Sequence, residues 1–579
     1  MRKIISFILL FCFLFLCLTS CKPKDDVSIP NNSSSSSFYY NNDADKDDDY
    51  LVSASSSTSK LPSKDDSSFI SQSTENIIIP DFQEYIPPDN EVPKDEIKIG
   101  DDSVGKIRAY TPPTEDRFNY NDFEVYANVG DGWVYVPVCS AKVAHFDVKE
   151  NKYITYMSSF VNIDFEGEML IRVTSKSRDI KSVAIRPYSK EIKFSKKQNT
   201  VEFKIKKACN LSFEINGDIY RNLQLYCNEF ETEIPNEKDK NVIYLKSGVH
   251  TASNCKYITL KGTRPVLYLY DNQTLYLEGG AYLEASVSVV GENVKILGRG
   301  VIDLLFANSP DCRYESLADK NMHMQGISLG HCKNTLIRGI IIRNSTSYAV
   351  SGNACSNVTI DNIKIFACHT WSDGIDMMAS HDITIKNSFI RSCDDSIAIY
   401  ASRWSNKGDA YNWSVTDTVL WSDLAHTVNI GTHGSQNMYN RDEIYNINFN
   451  NIDILEVNCP YPAYWGAIAM TVGDENIVRD CVFENIRMED YSMSSMFYLK
   501  VKQNPSYNPN PGFLIDNIVF KNITFNGDCP YLSEIAGYDA LRKVKNVSFE
   551  NIVVNGSRAK DFFEALINIG SYTDNITIK

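Results

Sequence analysis

The sequence predicts an all-β protein: a right-handed parallel β-helix over residues 236–579, preceded by a β-sandwich-like domain over 105–235. Three observations carry this. Beyond residue 240 a unit recurs, made of a β-type run, a polar Asn or Asp corner and a second β-type run. Examples are "NTLIRGIIIRNS" (334–345), "NVTIDNIKIFAC" (357–368), "DITIKNSFIRSC" (382–393) and "IDNIVFKNITFNG" (515–527). Its interval is 23 residues from Asn334 to Asn357 and 25 from Asn357 to Asp382, with no helical pattern between, which is the mark of a solenoid. Before it, "WVYVPV", "MLIRVTS", "TVEFKIK" and "LSFEI" alternate apolar and polar residues between polar turns, as antiparallel sandwich strands do.

Each segment follows in order. Met1-Arg2-Lys3 and the apolar run "IISFILLFCFLFL" form an export signal, and Leu18-Thr19-Ser20-Cys21 closes it as a lipobox, so residues 1–21 are expected to be a lipoprotein signal peptide with Cys21 acylated. The run is short for a spanning helix. The alternatives are an ordinary signal peptide or a single membrane anchor. Lys22 favours the outer membrane of an exported bacterial lipoprotein, at the cell surface or facing the periplasm. Residues 22–104 are Ser- and Asp-rich ("NNSSSSSFYYNNDADKDDDY"), too polar to bury a core, and are expected to be a disordered tether. In the solenoid, apolar side chains should point inward and the corner Asn residues should stack as ladders. A leucine-rich repeat would need its LxxLxL consensus and helices, and neither is present.

The 579 residues carry a formal net charge of −15, which argues against nucleic acid as a partner. Of 15 cysteines, three lie within or at the end of the signal, and the rest are scattered without CxxC pairs. That disfavours structural zinc, and spacing alone assigns no disulfide.

The chemistry concentrates in "WSDGIDMMASHDITIKNSFIRSCDDSIAIY" (371–400). Asp373 precedes the doublet Asp394-Asp395 by 21 residues, close to one coil, and successive coils lie roughly 4.8 Å apart. Three carboxylates should therefore crowd one patch. Both members of the doublet can face outward only where the strand bends or ends, which the preceding "RSC" permits. Like charges this close raise at least one pKa, leaving one carboxyl protonated beside an ionised one. That is the acid–base pairing of glycoside hydrolysis. The alternatives are a solvated acidic corner or a Ca²⁺ site.

"SDGID…DDSIAI" resembles the polygalacturonases of glycoside hydrolase family 28, whose pattern is NTDGID followed by DDCIAI. "AHTVNIGT" (425–432) matches the family's histidine strand and puts His426 in the histidine position. Gly431-Thr432-His433-Gly434 contains His-Gly but lacks the strand that should follow. Lys500-Val501-Lys502 is similar to the family's RIK motif, with two ammonium groups in place of a bidentate guanidinium. The resemblance covers roughly residues 240–579. It departs at Trp371-Ser372, at Ser396, at Ala425 and Thr427, and in the insertion "YASRWSNKGDAYNWS" (400–414). A sandwich before a β-helix is also similar to the layout of glycoside hydrolase family 49, the dextranases and isopullulanases.

The resemblance implies an inverting hydrolase of a polysaccharide or oligosaccharide, polygalacturonase-like, with an α-glucan hydrolase as the alternative. Asp394 would be the general acid, Asp373 and Asp395 would hold and deprotonate the water, and His426 would tune the acid. Lys500 and Lys502 would bind an acidic sugar or its hydroxyls. Trp371, and with it Trp404, Trp413 and Trp465, could stack on sugar faces. An inverting pair implies a gap of roughly 6.5–9.5 Å. No metal or other cofactor is implied, the chain is expected to act as a monomer, and it should meet the membrane only through its lipid anchor. The rivals are a polysaccharide lyase and a non-catalytic glycan-binding lipoprotein.

Overall fold

The computed structural model describes residues 105–579 apart from 148–151, 305–323, 370, 461–465, 506 and 529–530. The signal with Cys21, the tether and Trp465 lie outside the described residues. Among the described residues no helix is long and apolar enough to cross a membrane.

Two antiparallel sheets form the N-terminal layer pair. One runs through strands Lys106–Ala109, Lys152–Glu166, Asp218–Asn228, Cys209–Ile215 and Val183–Arg186, with Cys139–Asp147 added to the second of these. The other contains Val134–Val136, Phe123–Asn128, Met169–Ser175, Thr200–Ile205 and Phe194–Lys197. One pairing in the first sheet, Asp218–Asn228 on Lys152–Glu166, is parallel. The alternation that predicted strands puts Val125, Ile171, Val173, Val201, Phe203, Phe213 and Leu225 between the sheets.

From Val242 onward the chain winds as a parallel β-helix. Its walls are a 19-stranded and a 12-stranded sheet, parallel apart from end pairings such as Ile258–Lys261 on Arg264–Leu269. Inward side chains stack on themselves coil after coil. Phe449, Phe483, Phe520 and Phe549 stack with ring centroids 5.2, 5.0 and 5.1 Å apart. Each fully buried Ile, Leu or Phe of this column contributes roughly 1.5–3 kcal/mol of hydrophobic stabilisation. The corners are built as the repeats suggest. Asn334 and Asn357 hold φ of 57° and 53°, the left-handed region that Asn tolerates. Their amides donate down the column, Asn357 to Asn334 at 2.7 Å and Asn334 to Asn293 at 2.9 Å.

The outer face of the first antiparallel sheet packs on the 19-stranded wall. Phe160 and Tyr226 meet Phe366, Phe389 and Trp421 there. Buried ion pairs cross or line this face: Arg299–Asp164 at 2.8 Å, Arg343–Asp303 at 2.7 Å, Arg391–Asp423 at 2.9 Å and Arg186–Glu214 at 2.9 Å. The 12-stranded wall is left to carry the candidate site.

Candidate active site

In that wall the strands Ile375–Met378, Ile397–Tyr400, Val428–Ile430, Ile468–Val472 and Phe497–Val501 pair in parallel, in that order. Ile375, Ile397, Val428, Ile468 and Phe497 are aligned and point inward. Asp376, Ala398, Asn429, Ala469 and Tyr498 are aligned on the outer face. The trio sits in the bends just before the first two strands. Gly374 donates its N–H to the Asp395 carbonyl at 2.8 Å, which sets Asp373 one coil before the doublet. A Cβ on Gly374 would lie 2.3 Å from the Ser396 carbonyl oxygen, so the close approach of these two coils requires glycine.

One oxygen from each of Asp373, Asp394 and Asp395 lies within 4.8 Å of the others. This nearest-oxygen spacing is a different distance from the roughly 6.5–9.5 Å between carboxyl groups that an inverting pair implies. The backbones that carry these carboxylates lie on successive coils and inherit the interstrand spacing. A water accepted by two carboxylates at roughly 2.7 Å each fits that separation. By spacing alone the same three oxygens could hold a divalent cation, the one such group among the described residues.

The doublet's two side chains diverge. Asp394 is partly exposed and accepts from the Trp371 N–H at 3.3 Å and the Asp395 N–H at 3.0 Å. Burial and the neighbouring Asp395 push it up to about 7. Asp395 is buried and turned toward the next coil. Its Oδ1 faces His426 Nδ1 at 2.6 Å and accepts from the His426 N–H at 3.1 Å, and its Oδ2 accepts from Asn429 Nδ2 at 2.7 Å. His426 thus bonds to Asp395, and its charge also acts on Asp394, where it offsets part of the rise. Asp395 is the member of the doublet that reaches over the next coil, where His426 lies just before the strand Val428–Ile430. Asn429 is itself oriented by Thr432 and Thr471, whose hydroxyls donate to its Oδ1 at 3.1 and 3.0 Å.

Asp373 is buried, and burial with Asp376 and the doublet pushes it well above the usual carboxylate range. Asp376 on the adjoining strand is fully buried and also raised well above it, chiefly by burial. Neither Asp376 nor Asn429 was singled out from the sequence. Both were visible as polar residues at outward positions of apolar strands, "GIDMM" and "TVNIG".

The other predicted binders scatter. Trp371 is 44% exposed at the rim, with its backbone on Asp394. Trp404 is 47% exposed, whereas Trp413 is buried in the solenoid core with its Nε1 donating to the Ser380 carbonyl at 3.2 Å, so it cannot stack on a sugar. Lys500 faces outward three strands beyond the doublet, roughly 14 Å along the wall. Its ammonium pairs with Glu534 at 2.7 Å. Lys502 is pushed down to about 8 by burial and by Lys500. Of the two strands between, the one beside Lys500, Ile468–Val472, offers Ala469 and Thr471 outward. His433 does reach the site's surroundings. It meets Tyr400 edge-on at 4.9 Å, and burial holds its imidazole well below its ordinary value.

The chain is thus a parallel β-helix whose wall presents three convergent carboxylates, one of them bonded to a histidine. Residues 280–568 match the profile of glycosyl hydrolases family 28, and the chain belongs to that family. It is 24% identical over 256 residues to a probable endopolygalacturonase D of Neosartorya fischeri, covering 42% of this chain and 46% of that one. It is 22% identical over 238 residues to a probable polygalacturonase of Arabidopsis thaliana, covering 40% of this chain and 50% of that one. The chain thus spans about half the length of the curated relatives it matches. In fold it is similar to Dex49A from Penicillium minioluteum, with a TM-score of 0.53 at 13% identity over 82% of this chain and 97% of that one.

Proposed function

We propose that this protein hydrolyses O-glycosidic bonds of a polysaccharide, with a pectin-type galacturonan as the substrate. The observation that carries the reading is the division of labour within the doublet. Asp394, partly exposed and pushed up to about 7, can deliver a proton to the glycosidic oxygen. Asp395, held by two nitrogen atoms of His426 and by Asn429, and Asp373 on the preceding coil flank a position for the attacking water. The water loses its proton to the Asp395 carboxylate as its oxygen bonds to the anomeric carbon, and the bond to the leaving oxygen breaks as Asp394 protonates it. This single displacement inverts the anomeric centre. The names of the relatives, both polygalacturonases, support the choice of polymer.

The test is reducing-sugar release from polygalacturonate, rhamnogalacturonan, dextran and pullulan, with the first-formed anomer read by NMR. Release from polygalacturonate with inversion, lost in Asp394→Asn, is expected. Release from dextran or pullulan alone would transfer the reading to an α-glucan hydrolase. An unsaturated product would make the protein a lyase, and no release from folded protein would make it a glycan-binding protein.

The proposal extends to location. Leu18-Thr19-Ser20-Cys21 supports export and acylation at Cys21, with residues 22–104 as the tether. Labelled palmitate should enter the wild-type chain and not Cys21→Ser; equal labelling of both removes the anchor.

A further inference from the structure

The insertion at 400–414 brings a cation to the site that the Lys pair does not supply. Its loop is tightly folded: Arg403 and Asn406 exchange both backbone hydrogen bonds at 3.0 Å, and Asn406 donates to Asn353 at 2.9 Å. Trp404, at the tip, holds φ of 53°, a conformation that costs a bulky residue on the order of 1 kcal/mol or more and clusters at functional sites. Its indole is nonetheless 47% exposed. The Arg403 guanidinium lies over the Trp404 ring at 4.3 Å and the Tyr400 ring at 4.9 Å, which fixes its plane.

That guanidinium makes only a long ion pair with one carboxylate. Its side chain is 15% exposed, and Nη1 makes no hydrogen bond in the protein. The nearest carboxylate oxygen, on Asp376, stands 3.8 Å away, beyond hydrogen-bond reach, and neither oxygen of Asp376 has a hydrogen-bond partner. Burial favours the neutral form of Asp376, while Tyr348, Tyr400, Asp376 and Asp373 act together, against burial, to keep Arg403 charged. Asp373, Asp394, Tyr348 and His433 complete the titratable groups around it. The part of the guanidinium that stays exposed offers a ligand carboxylate the bidentate geometry that Arg favours.

We propose that Arg403 and Trp404 form a subsite beside the carboxylate trio for a uronic-acid residue, the guanidinium taking the sugar carboxylate and the indole face taking the ring. This rests on the hydrolase reading for its polymer but not for its test. Lys500, committed to Glu534 and roughly 14 Å along the wall, is then not the carboxylate-binding group.

The test is calorimetric binding of trigalacturonate and its methyl ester to the full chain carrying Asp394→Asn. The acid should bind at least roughly tenfold more tightly than the ester. Adding Arg403→Gln should remove that preference and leave ester binding within about twofold, and Arg403→Lys should restore part of it. Trp404→Ala should weaken both ligands, and unchanged binding would remove Trp404 from the subsite. No acid preference, or equal losses on acid and ester after Arg403→Gln, would overturn the proposal, and unfolding midpoints separate a fold defect from either. Wild-type hydrolysis of polygalacturonate with no effect of Arg403→Gln sinks only this inference. Arg403-dependent binding without hydrolysis sinks only the hydrolase reading.

Discussion

Two faces of the same solenoid treat buried charge in opposite ways. On the 19-stranded wall, against the sandwich, Arg343, Arg391 and Arg299 each hold a carboxylate at 2.7–2.9 Å. On the 12-stranded wall, Asp373, Asp394 and Asp395 crowd one another, and Arg403 stands 3.8 Å from the nearest oxygen, on Asp376. Breaking a buried pair leaves an unmatched charge and costs several kcal/mol, so the first face is organised for docking. The second leaves Asp376 and Arg403 Nη1 without hydrogen-bond partners, and raised carboxyl groups are what proton transfer near neutral pH needs. The contrast separates residues that hold the molecule together from residues that await a ligand.

Four experiments break or sharpen that contrast. Arg391→Ala, which strips Asp423 of a guanidinium bonded to both of its oxygens, should destabilise the fold by about 3–5 kcal/mol. Denaturant unfolding checks it, and a loss under about 1 kcal/mol would dissolve the distinction between the faces.

Asp394→Asn should do the reverse. The Asp394 carboxyl is raised to about 7 in the fold against an ordinary value of 3.8, so its protonated form is the stable one. The stability it supports is full below about pH 4 and lost as pH rises through about 7. The variant should therefore gain on the order of 1–3 kcal/mol over wild type at pH 8 and nothing at pH 4. Thermal unfolding at the two pH values reads the difference, and a destabilised variant at pH 8 would contradict the crowding. The same titration predicts that wild-type turnover falls as pH rises through about 7.

Asn429→Ala removes one donor from Asp395 without touching the interior. It should lower kcat by roughly 10–100-fold while shifting stability by under about 1.5 kcal/mol. A loss confined to stability would make Asn429 part of the scaffold. Lys500→Ala should have the smallest effect. An ion pair that is about one-third exposed contributes about 0–1 kcal/mol, and kcat/KM on polygalacturonate should stay within about threefold. A hundredfold loss would return the carboxylate-binding role to the Lys pair.

The residues divide in the same way when sequence and structure are compared. The coils were legible because a repeat of strand, Asn corner and strand admits few packings, and Asp373, Asp394 and Asp395 were legible because a 21-residue interval is about one coil. Trp413 was not: its tryptophan lies at an inward position of a strand whose direction only pairing with Ile383 and Ile447 reveals. Lys500 and Lys502 were read from charge pattern, which carries no information about the Glu534 carboxylate one coil further on.

By itself the sequence determined what is periodic: the β-helix, its Asn ladders, and the meeting of a lone aspartate with a doublet one turn later. Local pattern suffices there, because each coil stacks on a copy of itself at a fixed spacing. The tertiary structure decided what depends on side-chain direction and on partners far apart in the chain. It bonded His426 to Asp395, oriented Asn429, tied Lys500 to Glu534, and set Arg403 beside Asp376 without a hydrogen bond. A charge is defined by what faces it, and in this molecule that is settled only when the wall is assembled.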